Sequence, residues 1–416
     1  MFSERLIAIG GLATAKIVRA DLQGIDGMEY RQFGTTGWKV SALGFGCMRF
    51  PTTDGKPLSQ KIDKPEATRM VRHAIDHGVN YMDTAYPYHG GKSEVLLGNI
   101  LKAGYRERVK LATKSPVWLI KKGKDFDTYL NEQLTRLQTD YVDFYLFHAL
   151  NKKNWHNVVL KHGLLKRAEA AVKAGKVRNL GFSFHDDYSA FKEIVDGYDG
   201  WSLCQIQYNY MDTENQAGTK GLRYAASKGL AVVVMEPLLG GRLANPPKPI
   251  KTVLKNQGKG IKPSDLALQW LWNQPEVSVV LSGMTTMGQV RGNLRSANMS
   301  GTASLGKDGL RLIENIKKRY RELVPIPCTK CSYCMPCPNG VDIPRNFEEY
   351  IDGFIHNDVR TARSIYSRFF KKEERASQCT ACKRCEAKCP QKIPISELMP
   401  KVHGVLGKDQ PYPKLG

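Results

Sequence analysis

The sequence has no uninterrupted apolar run of roughly 18 residues or more, which excludes a membrane-spanning helix. Cysteine is nearly missing before residue 328, where only Cys47 and Cys204 occur, so no disulfide framework holds that part together. A dinucleotide-binding glycine fingerprint is missing too. Gly44-Phe45-Gly46 lacks a third glycine at the required spacing and no helix follows it directly, which argues against an open doubly wound sheet. Acid is scarce: 40 Asp and Glu stand against 62 Lys and Arg, a formal charge of +22 that points to anionic ligands or an acidic partner. No nucleic-acid-reading motif accompanies that charge. The basic residues are scattered through Lys121-Lys122-Gly123-Lys124, Asn151-Lys152-Lys153 and Lys371-Lys372 and read as solvated faces, so no nucleic acid is expected.

What is present is globular. With 42% hydrophobic residues, 38 Gly and 21 Pro in 416 residues, neither wholesale disorder nor a collagen-like repeat fits. The length exceeds one core, so a large domain and a smaller one are expected. Residues 1–27 read as an N-terminal extension: Leu6 to Ala15 is a short apolar stretch, but Glu4 accompanies Arg5, no twin-arginine pair precedes it, and Met28 stands just before recognisable architecture.

From residue 38 to about 298, short apolar runs alternate with amphipathic stretches. Strands are predicted at Ala42–Cys47, Val79–Asp83, Val109–Thr113, Val142–Phe147, Val177–Phe182, Leu203–Gln207, Ala231–Met235 and Val277–Leu281. Ala67, Met70, Val71, Ala74 and Ile75 share a helix face behind an Asp63 to Glu66 capping pair, and Phe126, Leu130, Leu134 and Leu137 share another. Eight strands with intervening helices predict an α/β fold, a closed (β/α)8 TIM barrel over 28–300. Residues 301–324 supply a further barrel helix and linker, and Pro325 with Pro327 opens a small, mainly α-helical domain over 325–416.

In such a barrel, chemistry sits at the C-terminal strand ends. Strand two ends in Asp83, followed by Thr84-Ala85-Tyr86-Pro87-Tyr88; strand three ends in Lys114; strand four ends in His148. A phenol is a poor acid, but an ammonium beside it should lower its pKa, a carboxylate should orient the ammonium, and a histidine should steer a carbonyl oxygen. Taken singly, Asp83 reads as a helix cap, Lys114 as a loop charge and His148 as a satisfied core residue. Together, in order, they read as a proton donor for carbonyl reduction.

Asp83-Thr84-Ala85 with Tyr88, Ala112-Thr113-Lys114, and Leu137-Gln138-Thr139-Asp140-Tyr141-Val142-Asp143 leading to Phe147-His148 make residues 29–323 resemble the aldo-keto reductase family. The resemblance implies a catalytic tetrad of Asp83, Tyr88, Lys114 and His148, and its spacing selects Tyr88 over Tyr86 as general acid or base. It also implies a nicotinamide dinucleotide, NADP(H) or NAD(H), exchanging hydride with a small carbonyl or alcohol. Ser183 and Gln205 correspond to carboxamide contacts, Met235, Pro237 and Leu238 to the loop against the nicotinamide, and Ser282, Gln289 and Asn293 to phosphate and adenine contacts. Met235 stands where many relatives place an aromatic ring. The basic residue that relatives carry near Gly283 is absent, leaving Arg291 or Arg295 as substitutes.

The remaining cysteines form two runs. Cys379, Cys382, Cys385 and Cys389-Pro390 have the bacterial ferredoxin spacing, while Cys328, Cys331, Cys334 and Cys337-Pro338 are one residue short in the last interval. Because the fourth cysteine of each run ligates the other cluster in two-cluster ferredoxins, one [4Fe–4S] cluster is expected on Cys328, Cys331, Cys334 and Cys389, and the second on Cys379, Cys382, Cys385 and Cys337. Structural zinc and a single intact cluster are the alternatives. The helical insert between the runs resembles the α-helical ferredoxin domain. Reduced thiols argue against secretion, and a cytoplasmic location is expected. A redox protein partner is compatible with them, and a non-catalytic nicotinamide-binding redox sensor or regulatory subunit is the rival reading.

Overall fold

A computed structural model describes residues 27–257, 260–328, 333–389 and 391–413. Except for Gly27, the expected N-terminal extension lies outside the described residues, as does Cys331. The strands are β1 (Tyr30–Gln32), β2 (Lys39–Ser41), β3 (Leu43–Gly46), β4 (Tyr81–Asp83), β5 (Lys110–Ser115), β6 (Val142–Leu150), β7 (Val177–Phe184), β8 (Trp201–Gln207), β9 (Ala231–Met235) and β10 (Val277–Gly283). Strands β3 to β10 pair in parallel in sequence order, and β10 returns to β3 to close a barrel. All eight predicted strands are present.

The main helices are α1 (Lys64–Asp76), α2 (Lys92–Ile100), α3 (Lys124–Leu137), α4 (Leu164–Lys173), α5 (Tyr188–Asp196), α6 (Gly218–Ser227), α7 (Lys248–Asn256), α8 (Pro263–Trp272) and α9 (Met287–Asn298). After these come α10 (Gly306–Glu322), α11 (Ile343–Ile355), α12 (Val359–Phe369) and α13 (Ile395–Gly407). Local chemistry explains several of them. Asp63 caps α1 by accepting the Glu66 amide at 3.1 Å, and the five apolar residues read from the sequence are its buried face. Phe126, Leu130, Leu134 and Leu137 are likewise buried on α3. Among the described residues no helix is long and apolar enough to cross a membrane.

The antiparallel hairpin β1–β2 was not legible in the sequence. Its strands are three residues each and mostly polar. Phe33 in its turn packs on Tyr81 and Phe144 with ring centroids 5.6 and 4.8 Å away, joining the core inside the barrel. Burying one such ring contributes roughly 2–3 kcal/mol. Arg31 fastens the hairpin by donating to the carbonyls of Trp272, Gln274 and Val277, at the end of α8 and the start of β10.

The described residues group into two compact units, one of 27–244 and 260–310, the other of 245–257 and 311–413 without the omitted positions. In the second, Phe347, Tyr350, Ala362, Tyr366, Met399 and Val402 lie in one apolar core. Asn346, fully buried, ties its segments: its amide nitrogen donates to the carbonyls of Asp342 and Glu374, both at 2.7 Å, and its oxygen accepts the Ala376 amide at 2.7 Å. Helix α13 was not anticipated.

Candidate active site

Asp83 is the last residue of β4, and Lys114 lies one residue before the end of β5. Both are buried, and the Lys114 ammonium donates to Asp83 Oδ1 at 2.6 Å, to the Thr84 carbonyl at 2.9 Å and to Tyr88 Oη at 3.5 Å. Burial works against the Lys114 charge, but Asp83 and Tyr88 reverse that and raise its pKa above the usual lysine value. Burial raises Asp83 and the Lys114 charge opposes it. We read the pair as ionised, since Asp83 Oδ1 takes a charge-assisted hydrogen bond from Lys114.

Tyr88 sits in a turn whose next residue, His89, has φ of 51° and is buried. His89 accepts the Phe50 amide on Nε2 at 3.2 Å, which leaves Nδ1 to donate to the Ser59 carbonyl at 2.6 Å. That clamp fixes the turn from behind. Lys114 acts on the Tyr88 pKa in the expected downward direction, but the net shift is upward. Burial of the phenol outweighs Lys114, so Tyr88 is raised above 10 and holds its proton at neutral pH. Tyr86 faces other partners, donating to Glu132 at 3.1 Å with the Arg136 guanidinium 4.1 Å from its ring centre.

His148 does not end its strand, which runs on to Leu150. Register with β7 shifts between Phe147 and Leu150, and Ala149 has φ of 54°, a bulge that re-aims the histidine. Its ring meets Tyr88 edge-on at 6.0 Å and Trp118 at 5.0 Å, and its Nδ1 is buried without a hydrogen-bond partner. Burial, then Lys114 and His185, push its pKa well below 6.5, so the imidazole is neutral. Trp118, 46% exposed beside His148, was not singled out from the sequence; its place in the loop after β5 was the available signal.

Behind this cluster, Glu94 is fully buried and accepts from Thr113 at 2.7 Å and Gln133 at 2.6 Å, while Gln133 also donates to the Lys114 carbonyl at 3.1 Å. The network holds the end of β5.

The expected cofactor residues lie further round the barrel: Ser183 in β7, Gln205 in β8, Met235 ending β9 with Pro237 and Leu238 after it, Ser282 in β10, and Gln289 and Asn293 on α9. Ser183 Oγ accepts the Ala149 amide at 2.7 Å, which leaves its hydroxyl proton to donate. Gln205 Oε1 is buried with no partner, and its nitrogen lies 3.8 Å from Met235 Sδ. A free donor and an orphaned acceptor fit a carboxamide, which carries one acceptor and two donors. Pro237 is buried and Leu238 half-buried behind Met235. Ser282 Oγ accepts from Asn293 at 2.9 Å, and Gln289 Oε1 accepts the Thr285 amide at 2.7 Å, organising the loop between β10 and α9. Of the two expected substitutes for a basic residue at that loop, Arg291 acts on His73 of α1 and Arg295 on Asp265 of α8. The side chain packed against Gly283 is Arg49, which the sequence reading did not select.

In the C-terminal unit, Cys337, Cys379, Cys382 and Cys385 line one cavity with Val341 and Met399. Cys328, Cys334 and Cys389 are half-buried against the same apolar core. Among the described residues no three potential ligands converge on a single-ion position.

A parallel eight-stranded barrel with an ion-paired lysine against a tyrosine at its C-terminal rim defines a nicotinamide-type oxidoreductase barrel, here carrying a cysteine-rich helical unit. The model of the aldo/keto reductase family matches residues 42–304, more than half of the chain, and the chain belongs to that family as an NAD(P)-dependent oxidoreductase. A 4Fe-4S dicluster domain matches residues 327–393. L-galactose dehydrogenase of Arabidopsis thaliana is 29% identical over 316 residues, 71% of this chain and 96% of that protein. The 6-dehydroglucose reductase of Novosphingobium aromaticivorans is 29% identical over 277 residues, 61% of this chain and 85% of that protein. A thermostable aldo-keto reductase solved with the inhibitor epalrestat superposes with a TM-score of 0.57 at 26% identity, covering 70% of this chain and all of the other.

Proposed function

We propose that the barrel reduces a carbonyl to an alcohol, or runs the reverse oxidation, with Tyr88 as general acid or base. The observation that carries this is the Lys114 ammonium held between Asp83 at 2.6 Å and Tyr88 at 3.5 Å. A reduced nicotinamide supplies hydride when bound, and Ser183 with Gln205 would hold its carboxamide. Tyr88, kept protonated by burial, gives its proton to the developing alkoxide oxygen, and the Lys114 charge stabilises the phenolate left behind. Neutral His148 donates a hydrogen bond to the same oxygen. Asp83 keeps Lys114 charged and oriented.

A hydroxylated, sugar-like substrate is favoured. Two relatives are named for such compounds. Polar side chains also end or follow β7 and β8: Gln207 donates to Asp212 at 3.1 Å, Gln216 donates to Gln207 at 3.2 Å, and His185 acts on His148. Trp118 offers an exposed face of the kind that packs on sugar C–H surfaces. The test is a steady-state panel of hexoses, their oxidised derivatives and aromatic aldehydes with NADPH and NADH. Tight dinucleotide binding without turnover of any carbonyl would favour the sensor reading and overturn the enzyme.

For the C-terminal unit we propose two [4Fe–4S] clusters with the ligand sets read from the spacing. Two observations support this reading over zinc: the ferredoxin spacing of the second run with its following proline, and the match of residues 327–393 to a 4Fe-4S dicluster domain, while Cys337 lines one cavity with Cys379, Cys382 and Cys385. Lys383, Arg384, Lys388 and Lys392, all exposed, lie on the same stretch of chain as the exposed Cys382, a basic segment suited to an acidic redox partner. Iron and sulfide counts after anaerobic purification test this: about eight irons per chain support two clusters, and zinc without iron would overturn them.

A further inference from the structure

Gly283 ends β10, and its backbone does not require glycine, because its φ lies outside the left-handed region. Space accounts for it instead. A Cβ at position 283 would stand 2.7 Å from Cγ and 2.9 Å from Cβ of Arg49, so a side chain there would displace Arg49. Arg49 closes the short helical turn Cys47–Arg49 directly behind β3, and β3 is the barrel neighbour of β10, with Gly46 opposite Gly283. The two strand ends therefore deliver a cation and the room for it to one place.

The Arg49 stem is half-buried against Gly283, while its guanidinium makes no hydrogen bond or ion pair among the described residues. A guanidinium with a packed foot and unused donors is suited to bidentate capture of phosphate oxygens. Its surroundings favour an anion. The first turn of α9 carries no acidic residue, and Thr285 and Thr286 at its start are exposed.

The geometry points to Arg49 as the group that binds the 2′-phosphate of NADPH, supplying from the β3 side the cation that Met284, Thr285 and Thr286 of the β10–α9 loop do not carry, and so setting a preference for NADPH over NADH. The assignment rests on the nicotinamide reading above. A ribose 2′-phosphate is a monoester with close to two charges and three free oxygens, whereas the pyrophosphate is common to both dinucleotides and confers no preference. Only the first makes Arg49 a specificity residue.

Fluorescence titration of the cluster-loaded protein with NADPH and NADH, and calorimetric titration with 2′,5′-ADP and 5′-ADP, separate the sources. Arg49→Gln is expected to weaken NADPH and 2′,5′-ADP about tenfold or more and to move NADH and 5′-ADP far less. Gly283→Ala acts in the same direction by displacing Arg49. The double variant Arg49→Ala with Gly283→Lys returns a cation to the loop and restores the NADPH preference. Equal losses for NADPH and NADH would assign Arg49 to the pyrophosphate and overturn the proposal, as would an unchanged NADPH affinity. NADH binding by each variant reports that the barrel is folded. Wild-type protein that binds neither dinucleotide would overturn the nicotinamide reading and this assignment with it.

Discussion

The barrel site and the cysteine unit are organised on opposite principles. In the barrel the chemistry is held by groups that already satisfy one another: Lys114 has three acceptors, Glu94 two donors within 2.7 Å, and His89 a fixed tautomer. In the C-terminal unit Cys337, Cys379, Cys382 and Cys385 line a cavity, Cys328, Cys334 and Cys389 lie against the apolar core, and what would bind them together is metal. A site of the first kind is preorganised by packing, which is what a proton donor needs. A site of the second kind couples ligand binding to the order of the unit around it.

The largest expected effect that sharpens this contrast comes from Lys114→Met. It removes the charge that stabilises the Tyr88 phenolate and leaves Asp83 buried without its partner. We expect turnover to fall by roughly 10²–10⁴ and stability by about 3–5 kcal/mol, read by steady-state kinetics and denaturant melts. Adding Asp83→Asn should return much of the stability and none of the activity; activity returning with stability would make the pair structural only. Next in size, Cys385→Ser should lower the iron content from about eight to about four per chain, measured by chemical iron analysis. Loss of all iron would show that the two cysteine runs build one site. The smallest effect is a flat pH profile. Tyr88 is raised above 10, so reduction is lost only as pH rises beyond that value; His148 is lowered below 6.5, so its neutral form persists until pH falls well below that value. The rate of reduction should therefore hold constant between those limits, and a break near pH 7 would contradict both assignments.

The same contrast decides what the sequence made legible. Parallel strands buried on both faces are continuous apolar runs, so Ala231–Met235 was read to the residue. The cysteine runs were legible because metal ligation constrains spacing directly. Three features of the barrel were hidden because they depend on contacts between distant segments. The bulge that re-aims His148 is a register break against β7. The Tyr88 pKa depends on how deeply the fold encloses the phenol, and a list of neighbouring charges gave the wrong direction. Arg49 meets Gly283 only because the barrel closes. The hairpin β1–β2 was missed because its short polar strands carry no alternation, and its anchor, Phe33, sits in the turn.

The most direct test of the account compares two tyrosines two residues apart. Tyr88→Phe and Tyr86→Phe are each assayed for carbonyl reduction with NADPH, with dinucleotide binding measured alongside. The account predicts that Tyr88→Phe loses roughly 10²–10⁴ in turnover while still binding the dinucleotide, and that Tyr86→Phe, which loses only its hydrogen bond to Glu132, stays close to wild type. Full turnover by Tyr88→Phe, or a comparable loss in Tyr86→Phe, would contradict it.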